Sequence, residues 1–272
     1  MHKIDWAKYL TEIRSRRSVF NENHSEVHPV DCRNSFDSDF GRVLFTSAIR
    51  RMHDKTQVIP LTSGDSVHTR LTHSMEVMNI ATSLGNDLCR KPDFTTTFEN
   101  YIELERRIPK ILATAGLCHD VGNPPFGHFG ETIIQNYFKQ FFKDVKNGKH
   151  YISDLELSED QELDFTEFDG NAQGFRVITK LQYIGDLAGL NLTYATLGAY
   201  LKYPNKENAI KKAYIGKKKH GVYFSEYEIF DDICAKSGMK DESGKIKRHP
   251  LSFLTEAADS ICYLTMDIED GY

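Results

Sequence analysis

The sequence predicts an all-α fold with no more than a short β-hairpin. Three long segments repeat apolar residues at the spacing of a helix face, over about 70–91, 101–119 and 250–272. Hydrophobic residues make up 40% and charged residues 27% of the 272-residue chain, and 17 Phe and 13 Tyr supply surface to bury. This mixture is typical of a globular protein with a sizeable core, and it argues against disorder.

The first half of the chain contains the predicted helices that carry two inward-facing histidines. Residues 36–53 have a loose helical period, and 70–91 form a clear amphipathic helix in which His73 extends the apolar stripe. The next helix covers 101–119, and His119 lies on its apolar face. The Gly-Asn-Pro-Pro sequence that follows is expected to end this helix sharply.

The second half of the chain is predicted to hold shorter helices, a surface insertion and one long final helix. A helix at 129–143 precedes a polar insertion at about 144–170, and residues 213–224 are expected to form a short hairpin with a lysine-rich tip. The helix at 129–143 is expected to bury Ile133, Ile134, Tyr137, Phe138 and Phe141. The segment 171–203 is expected to be helical, with breaks at Gly185, Gly189 and Gly198. The last helix starts at Pro250, with a core stripe of Leu251, Leu254, Ala258, Ile261 and Ile268.

Charge and cysteine usage narrow the classes of function. The chain has 34 Lys and Arg against 39 Asp and Glu, a net charge of −5, which argues against binding nucleic acid by bulk charge but leaves room for a local basic pocket. No export segment or membrane span is expected, because no apolar run approaches the ~18 residues of a spanning helix. The five cysteines are widely spaced and read as thiols of a reducing, cytoplasmic compartment, with Cys89, Cys118 and Cys262 in the core.

Domain organisation is expected to be simple. Residues 1–32 are read as an N-terminal arm, and 33–272 as one core. The arm has a basic run at Arg14, Arg16 and Arg17, which is a candidate contact between subunits.

A divalent-metal site is the chemistry that the inward-facing polar residues indicate. A single inward histidine is more often a satisfied core residue, but His119 is followed at once by Asp120 at a helix C-terminus, where a buried carboxylate is costly. A divalent cation would satisfy both residues, and Zn, Mn, Fe and Ni all remain open. Asp259, set among apolar residues of the last helix, completes a candidate ligand set with His73, His119 and Asp120.

Longer sequence strings carry a resemblance to a known family. The order His…His-Asp…Asp is similar to that of the HD-domain metal-dependent phosphohydrolases, and the chain resembles most the bacterial deoxyguanosine-triphosphate triphosphohydrolases among them. The most specific string is HDVGNPPFGHFGE, because a bare His-Asp dipeptide would be a weak signal. The resembling strings lie at 33–58, 68–77, 113–131, 168–177, 189–204 and 256–271.

The resemblance implies an HD-domain helical fold and a role for each matching residue. It implies that His128 and Glu131 are catalytic, that one divalent ion (Mg²⁺, Mn²⁺ or another transition metal) is bound, and that the ligands are His73, His119, Asp120 and Asp259. Arg70 lies on the helix face of His73 and would clamp phosphate. The remaining substrate residues implied are Gln57, Asn171, Lys202, Tyr203, Tyr263 and Asp267. Tip lysines that could add charge are Lys211, Lys212, Lys217, Lys218 and Lys219.

The expected reaction is metal-dependent hydrolysis of dGTP or another dNTP to deoxynucleoside and inorganic triphosphate. Two alternatives stay open: another HD-domain phosphohydrolase, such as a nucleotidase or phosphodiesterase, and a nucleotide or single-stranded nucleic-acid binding protein. The resemblance also implies a homo-oligomer, a hexamer, with an allosteric nucleotide and single-stranded DNA as further candidate partners. Family members are commonly longer, so the chain is expected to be a fragment or a short member.

Overall fold

Helices account for nearly all of the regular structure. The computed structural model describes residues 6–15, 32–60, 67–91, 101–149, 156–182, 188–207 and 214–270, without the side chains of 101–103, 267, 269 and 270. The α-helices of these residues are α1 (Trp6–Tyr9), α2 (Ser35–Leu44), α3 (Ser47–Arg51), α4 (Arg70–Cys89), α5 (Tyr101–Cys118), α6 (Gly127–Lys146), α7 (Glu159–Thr166), α8 (Gly170–Arg176), α9 (Tyr194–Tyr200), α10 (Tyr227–Lys236) and α11 (Pro250–Asp270). The all-α prediction is confirmed.

The prediction of a β-hairpin over 213–224 is wrong. Its described residues instead contain a 3₁₀ helix at Ile215–Lys217, and a second follows at Phe224–Glu226. The glycine and lysines of this stretch favour a turn, and β-pairing in the described residues is limited to isolated bridges such as Lys240 with Ile246. Within the described residues, no helix combines the length and apolarity that crossing a membrane requires.

The packing of α4 against α5 and α11 places the inward-facing histidines. Helix α4 packs most extensively against α5, and α11 packs on α4. Two glycines allow this close approach: a Cβ on Gly116 would lie 3.1 Å from the Cα of Met78, and one on Gly85 would lie 3.0 Å from the Cα of Pro109. Pro109 itself lies inside α5, which continues through it.

Two predicted helix faces need correction. On α6, Ile133 and Tyr137 are exposed, because this helix packs mainly on α7. Phe138 contacts Phe165 of α7, with ring centroids 4.7 Å apart, so the insertion at 144–170 supplies packing as well as polar surface. On α11, Leu251 and Ala258 are buried as predicted, whereas Ile261 and Ile268 are exposed.

The glycine breaks expected in 171–203 have different outcomes. Gly189 follows the helical segment that ends at Leu181 and has φ +53°, a left-handed conformation that favours glycine. Gly198 instead lies inside α9, where a Cβ would come within 2.9 Å of the His249 ring, so it serves packing rather than a break. Gly185 lies outside the described residues.

Part of the predicted arm belongs to the packed structure. Trp6 is buried, and the Arg14 guanidinium donates to the buried carboxylate of Asp39 at 2.6 Å. The other members of the basic run, Arg16 and Arg17, lie outside the described residues.

The cysteine prediction is confirmed where it concerns the core. Cys89, Cys118 and Cys262 are buried thiols that form no disulfide. Burial raises the pKa of Cys118 to about 12, so this thiol stays protonated near neutral pH.

We expect the stability of the fold to fall between pH 6.5 and pH 4 because of His249. Its ring is buried, its Nε2–H donates to the carbonyl oxygen of Tyr9 at 2.8 Å, and burial lowers its pKa to about 4. The unfolded chain takes up a proton near pH 6.5 and the folded chain only near 4. As the pH falls from 6.5 to 4, the free energy of unfolding therefore decreases by up to about 1.4 kcal/mol per pH unit. Urea unfolding of wild type and His249→Gln across this range tests it, and equal pH slopes would contradict it.

Candidate active site

Three ligand-type side chains meet where α4, the end of α5 and α11 come together. His73, His119 and Asp259 each offer an atom that lies within 4.8 Å of the other two. Nε2 of His73 is 3.3 Å from Asp259 Oδ1, and Nε2 of His119 is 3.5 Å from the same oxygen. The helical periodicity that turned both histidines inward brings them to one point, with ring centroids 5.3 Å apart.

The tautomer of His119 leaves one nitrogen that needs a cation. Its Nδ1 is 2.8 Å from the carbonyl oxygen of Gly116, which accepts a hydrogen bond from Nδ1–H. Nε2 therefore turns a lone pair towards two carboxylates, at 3.4 Å from Asp120 and 3.5 Å from Asp259, and it is buried without a hydrogen bond. A backbone hydrogen bond that orients an imidazole in this way is typical of metal ligands. The donor set thus fits a divalent cation.

The charges around Nε2 of His119 also favour a cation at this position. Burial lowers the pKa of His119, but the carboxylates of Asp120 and Asp259 outweigh it and raise that pKa to about 9. For Asp259, burial is outweighed by the two histidines and Lys202, which hold its pKa well below the usual range. A proton at His119 Nε2 and a divalent ion compete for the same place.

Asp120 lies beside the three-residue group and has partners of its own. Its Oδ2 is 2.5 Å from Nη1 of Arg70, and its Oδ1 accepts from the Asn123 side-chain amide at 2.6 Å. Asp120 is therefore oriented by an arginine and an asparagine. Its place as a fourth metal ligand stays a prediction.

His128 and Glu131, to which the resemblance gives catalytic roles, are hydrogen-bonded to each other. His128 Nδ1 is 2.9 Å from Glu131 Oε2, and Glu131 Oε1 accepts from the backbone N–H of Gly170 at 2.8 Å. The hydrogen bond to Glu131 raises the pKa of His128, and the His128 side chain is 83% exposed while that of Glu131 is 7% exposed. A fixed carboxylate thus orients an accessible imidazole.

A tight turn before α6 fixes the start of the helix that carries His128. Phe126 caps α6 in the left-handed region at φ 65°, and Gly127 follows at φ 54°. A Cβ on Gly127 would lie 2.8 Å from Nη2 of Arg70, so glycine lets the arginine lie against the turn. The same loop therefore fixes both an arginine and the exposed histidine.

A cleft of about 380 Å³ joins these features, and it contains most of the predicted substrate residues. The predicted metal ligands His119, Asp120 and Asp259 line it, and so does the predicted catalytic residue His128. So do the predicted substrate residues Gln57, Arg70, Asn171, Lys202, Tyr203 and Tyr263. Asp267 lies in α11, and its side chain is outside the described part of the chain.

Lysines supply positive charge on one side of the cleft. Lys202 Nζ lies 3.7 Å from Asp259 Oδ2, and Lys219 from the predicted lysine-rich tip lies 2.7 Å from Asp169 Oδ2. Lys217 instead pairs with Glu207 away from the cleft. Lys211 and Lys212 lie outside the described residues.

Sequence reasoning missed two polar residues that support the site, Lys55 and Asp169. Lys55 Nζ donates to the carbonyl oxygen of Asn123 at 2.9 Å, and burial together with Arg70 lowers the Lys55 pKa. Asp169 caps α8 and pairs with Lys219. Both Lys55 and Asp169 fall inside the resembling strings. The strings could therefore have pointed to these two residues, whereas helical spacing alone could not.

Comparison with known proteins agrees with this geometry. Residues 70–168 match the family model of the HD domain. The chain is 40% identical over 269 residues to a deoxyguanosinetriphosphate triphosphohydrolase-like protein of Listeria monocytogenes, covering 98% of this chain and 56% of that protein. It is 40% identical to a protein of the same description from Pseudomonas aeruginosa, covering 98% and 57%. It is 36% identical to the deoxyguanosinetriphosphate triphosphohydrolase of an Enterobacter species, covering 99% and 54%.

The fold and the histidine–aspartate site agree with the match of residues 70–168 to the HD domain. The chain is similar over nearly its whole length to the deoxyguanosinetriphosphate triphosphohydrolase-like proteins. The chain spans little more than half the length of these relatives, 56 to 57%.

We expect Asp259→Asn to lower the affinity for Mn²⁺ by at least about tenfold, because it removes a carboxylate charge whose oxygen lies within 3.5 Å of Nε2 of both histidines. In the wild type, an ion must displace the proton at His119 Nε2. Affinity should therefore rise with pH up to about 9, the pKa of that ring, by about tenfold per pH unit at most. Titration calorimetry at pH 6, 7 and 8 measures both effects.

His128→Ala is the matched control, because its side chain is outside the three-residue group. It should bind Mn²⁺ as the wild type does. Equal loss in the two variants, or unchanged binding by Asp259→Asn, would contradict this assignment of the metal site.

Proposed function

We propose that this chain hydrolyses dGTP or another dNTP to deoxynucleoside and inorganic triphosphate. One observation carries the proposal. His119 and Asp259 of the metal site line the same cleft as the exposed His128, whose ring is held by the buried Glu131. The names of the relatives support the same activity. A bound divalent ion would supply Lewis-acid polarisation of a phosphoryl oxygen and would be held by His73, His119 and Asp259, with Asp120 as the fourth candidate ligand.

His128 is the group that handles the proton in this proposal. Glu131 fixes its Nδ1, so that Nε2 is left to face the cleft as an acid, a base or a nucleophile. Arg70, Lys202 and Lys219 line the same cleft and stabilise the negative charge of the polyphosphate and of the transition state. Arg70 has a second task, because it also holds Asp120.

Contacts with the sugar are assigned to the other cleft residues. Gln57 is proposed to contact the deoxyribose, Asn171 and Tyr203 to lie around the triphosphate and sugar, and Tyr263 to line the same groove; all four line the cleft. Asp267 is proposed to bind the sugar 3′-hydroxyl. Discrimination against ribonucleotides would come from packing at the 2′ position, where a hydroxyl finds no room.

The proposal extends to the assembly and the compartment. A homo-oligomer, a hexamer by resemblance, and a cytoplasmic location remain part of it. So do an allosteric nucleotide and single-stranded DNA as possible ligands. The organisation of the chain as an N-terminal arm at 1–32 and one core at 33–272 is part of the proposal too.

We expect the chain to release inorganic triphosphate from at least one of the four dNTPs in the presence of Mn²⁺ or Mg²⁺. His128→Ala should lower turnover by about 10²-fold or more while binding metal normally, because it removes proton transfer but no metal ligand. Ion-exchange analysis of the products measures triphosphate directly.

The product that is released distinguishes the proposed reaction from the two alternative functions. Release of orthophosphate from a deoxynucleoside monophosphate would indicate the nucleotidase alternative. Tight binding of nucleotide or single-stranded DNA with no product from any dNTP would indicate the binding-protein alternative. A near-normal rate for His128→Ala would contradict the role given to that histidine.

Asp267→Asn should raise KM or lower kcat/KM for the preferred dNTP by about tenfold, while the metal content stays unchanged. The reason is its place two helical turns along α11 from Asp259, about 12 Å of axial rise, which is too far for a shared set of metal ligands. An exposed surface residue would instead change kinetics by no more than about twofold. Steady-state kinetics and metal analysis of one preparation decide between them.

A further inference from the structure

Asp169 is a buried carboxylate next to the cleft that the proposed reaction does not use. Its side chain is 4% exposed and does not line the cleft, yet both of its oxygens bind residues that do. Oδ2 lies 2.7 Å from Lys219 Nζ. Oδ1 accepts from the backbone N–H and the side-chain amide of Asn171, at 2.8 and 2.9 Å. The residue therefore acts through its neighbours.

Lys219 lies near a second carboxylate, that of Glu131, and this makes its contact with Asp169 important. Lys219 Nζ is also 3.4 Å from Glu131 Oε2, the oxygen that binds His128 Nδ1 at 2.9 Å. Lysine and histidine thus share one acceptor, and the closer carboxylate of Asp169 draws the ammonium group towards itself. Without that charge, the nearest anion left to Lys219 is the oxygen on which the orientation of His128 depends.

The backbone of Asp169 is itself held in place. Its carbonyl oxygen accepts from the hydroxyl of the buried Tyr223 at 3.2 Å. Its side chain caps α8, whose first residue, Gly170, donates to Glu131. Asp169 consequently has a fixed position from which to direct a flexible lysine side chain.

We infer that Asp169 is a positioning residue: its charge holds the Lys219 ammonium group in the cleft for a polyphosphate and keeps it off the Glu131 oxygen used by His128. The inference rests on the proposed function, because it gives Lys219 a phosphate-bearing ligand. Asn is as good a helix cap as Asp, so Asp169→Asn removes the charge while the cap on α8 remains.

The experiment is a double-mutant cycle on kcat and KM for the preferred dNTP. Asp169→Asn should lower kcat/KM by about tenfold, the loss expected of one charge-assisted hydrogen bond, with most of the change in KM. In a Lys219→Met background the same substitution should change kcat/KM by less than about twofold, because the group it positions is gone. Equal effects in both backgrounds would overturn the inference.

A matched control separates positioning from stability. Glu226 is another buried carboxylate that holds a lysine, at 3.2 Å from Lys180, and neither residue lines the cleft. Glu226→Gln should lower the melting temperature and leave KM unchanged. If Asp169→Asn behaves like Glu226→Gln, the role of Asp169 is structural and the inference fails.

Binding of inorganic triphosphate, measured by calorimetry, separates this inference from the proposed function. If the wild type hydrolyses no dNTP but binds triphosphate, the proposed reaction fails and the cycle is scored on affinity, with the same expected tenfold loss. If the wild type does neither, both the proposed function and the inference fail. If it does both and the cycle is additive, only the inference fails.

Discussion

The electrostatic imbalance at His119 Nε2 is the constraint on which the site depends. The Gly116 carbonyl fixes this ring so that a lone pair faces two carboxylates, in a place without a hydrogen bond to relieve it. Only a cation, either a proton or a metal ion, satisfies that arrangement. The packing of α4, α5 and α11 holds this arrangement in place, because it brings His73 and Asp259 to the same point as His119.

Two further networks extend from this centre into the cleft. One runs from Asp120 through Arg70 to the turn at Gly127, and so joins the metal site to the loop that presents His128. The other runs from His128 through Glu131 to Lys219 and Asp169. Three charged or titratable groups of the cleft are held by buried carboxylates: Arg70 by Asp120, His128 by Glu131 and Lys219 by Asp169. Fixed charges of this kind are the arrangement that preorganised electrostatic catalysis requires.

Helical periodicity predicted the part of the site that lies on helices. His73 and Asp259 occupy helix faces, and their inward position follows from the apolar residues spaced around them. The same reasoning failed for Ile133 and Ile261, because an apolar residue on a helix is buried only where another element covers it. The role of Lys219 depended on the path of a loop, and the sequence around it instead favoured a hairpin.

A crystal of the protein soaked in Mn²⁺ tests most directly whether His73, His119 and Asp259 hold a divalent ion. Anomalous difference density is expected at the point where the side chains of these three residues converge, bonded to both imidazoles and the carboxylate. Density confined to surface carboxylates, with the three side chains still in contact with one another, would contradict the account.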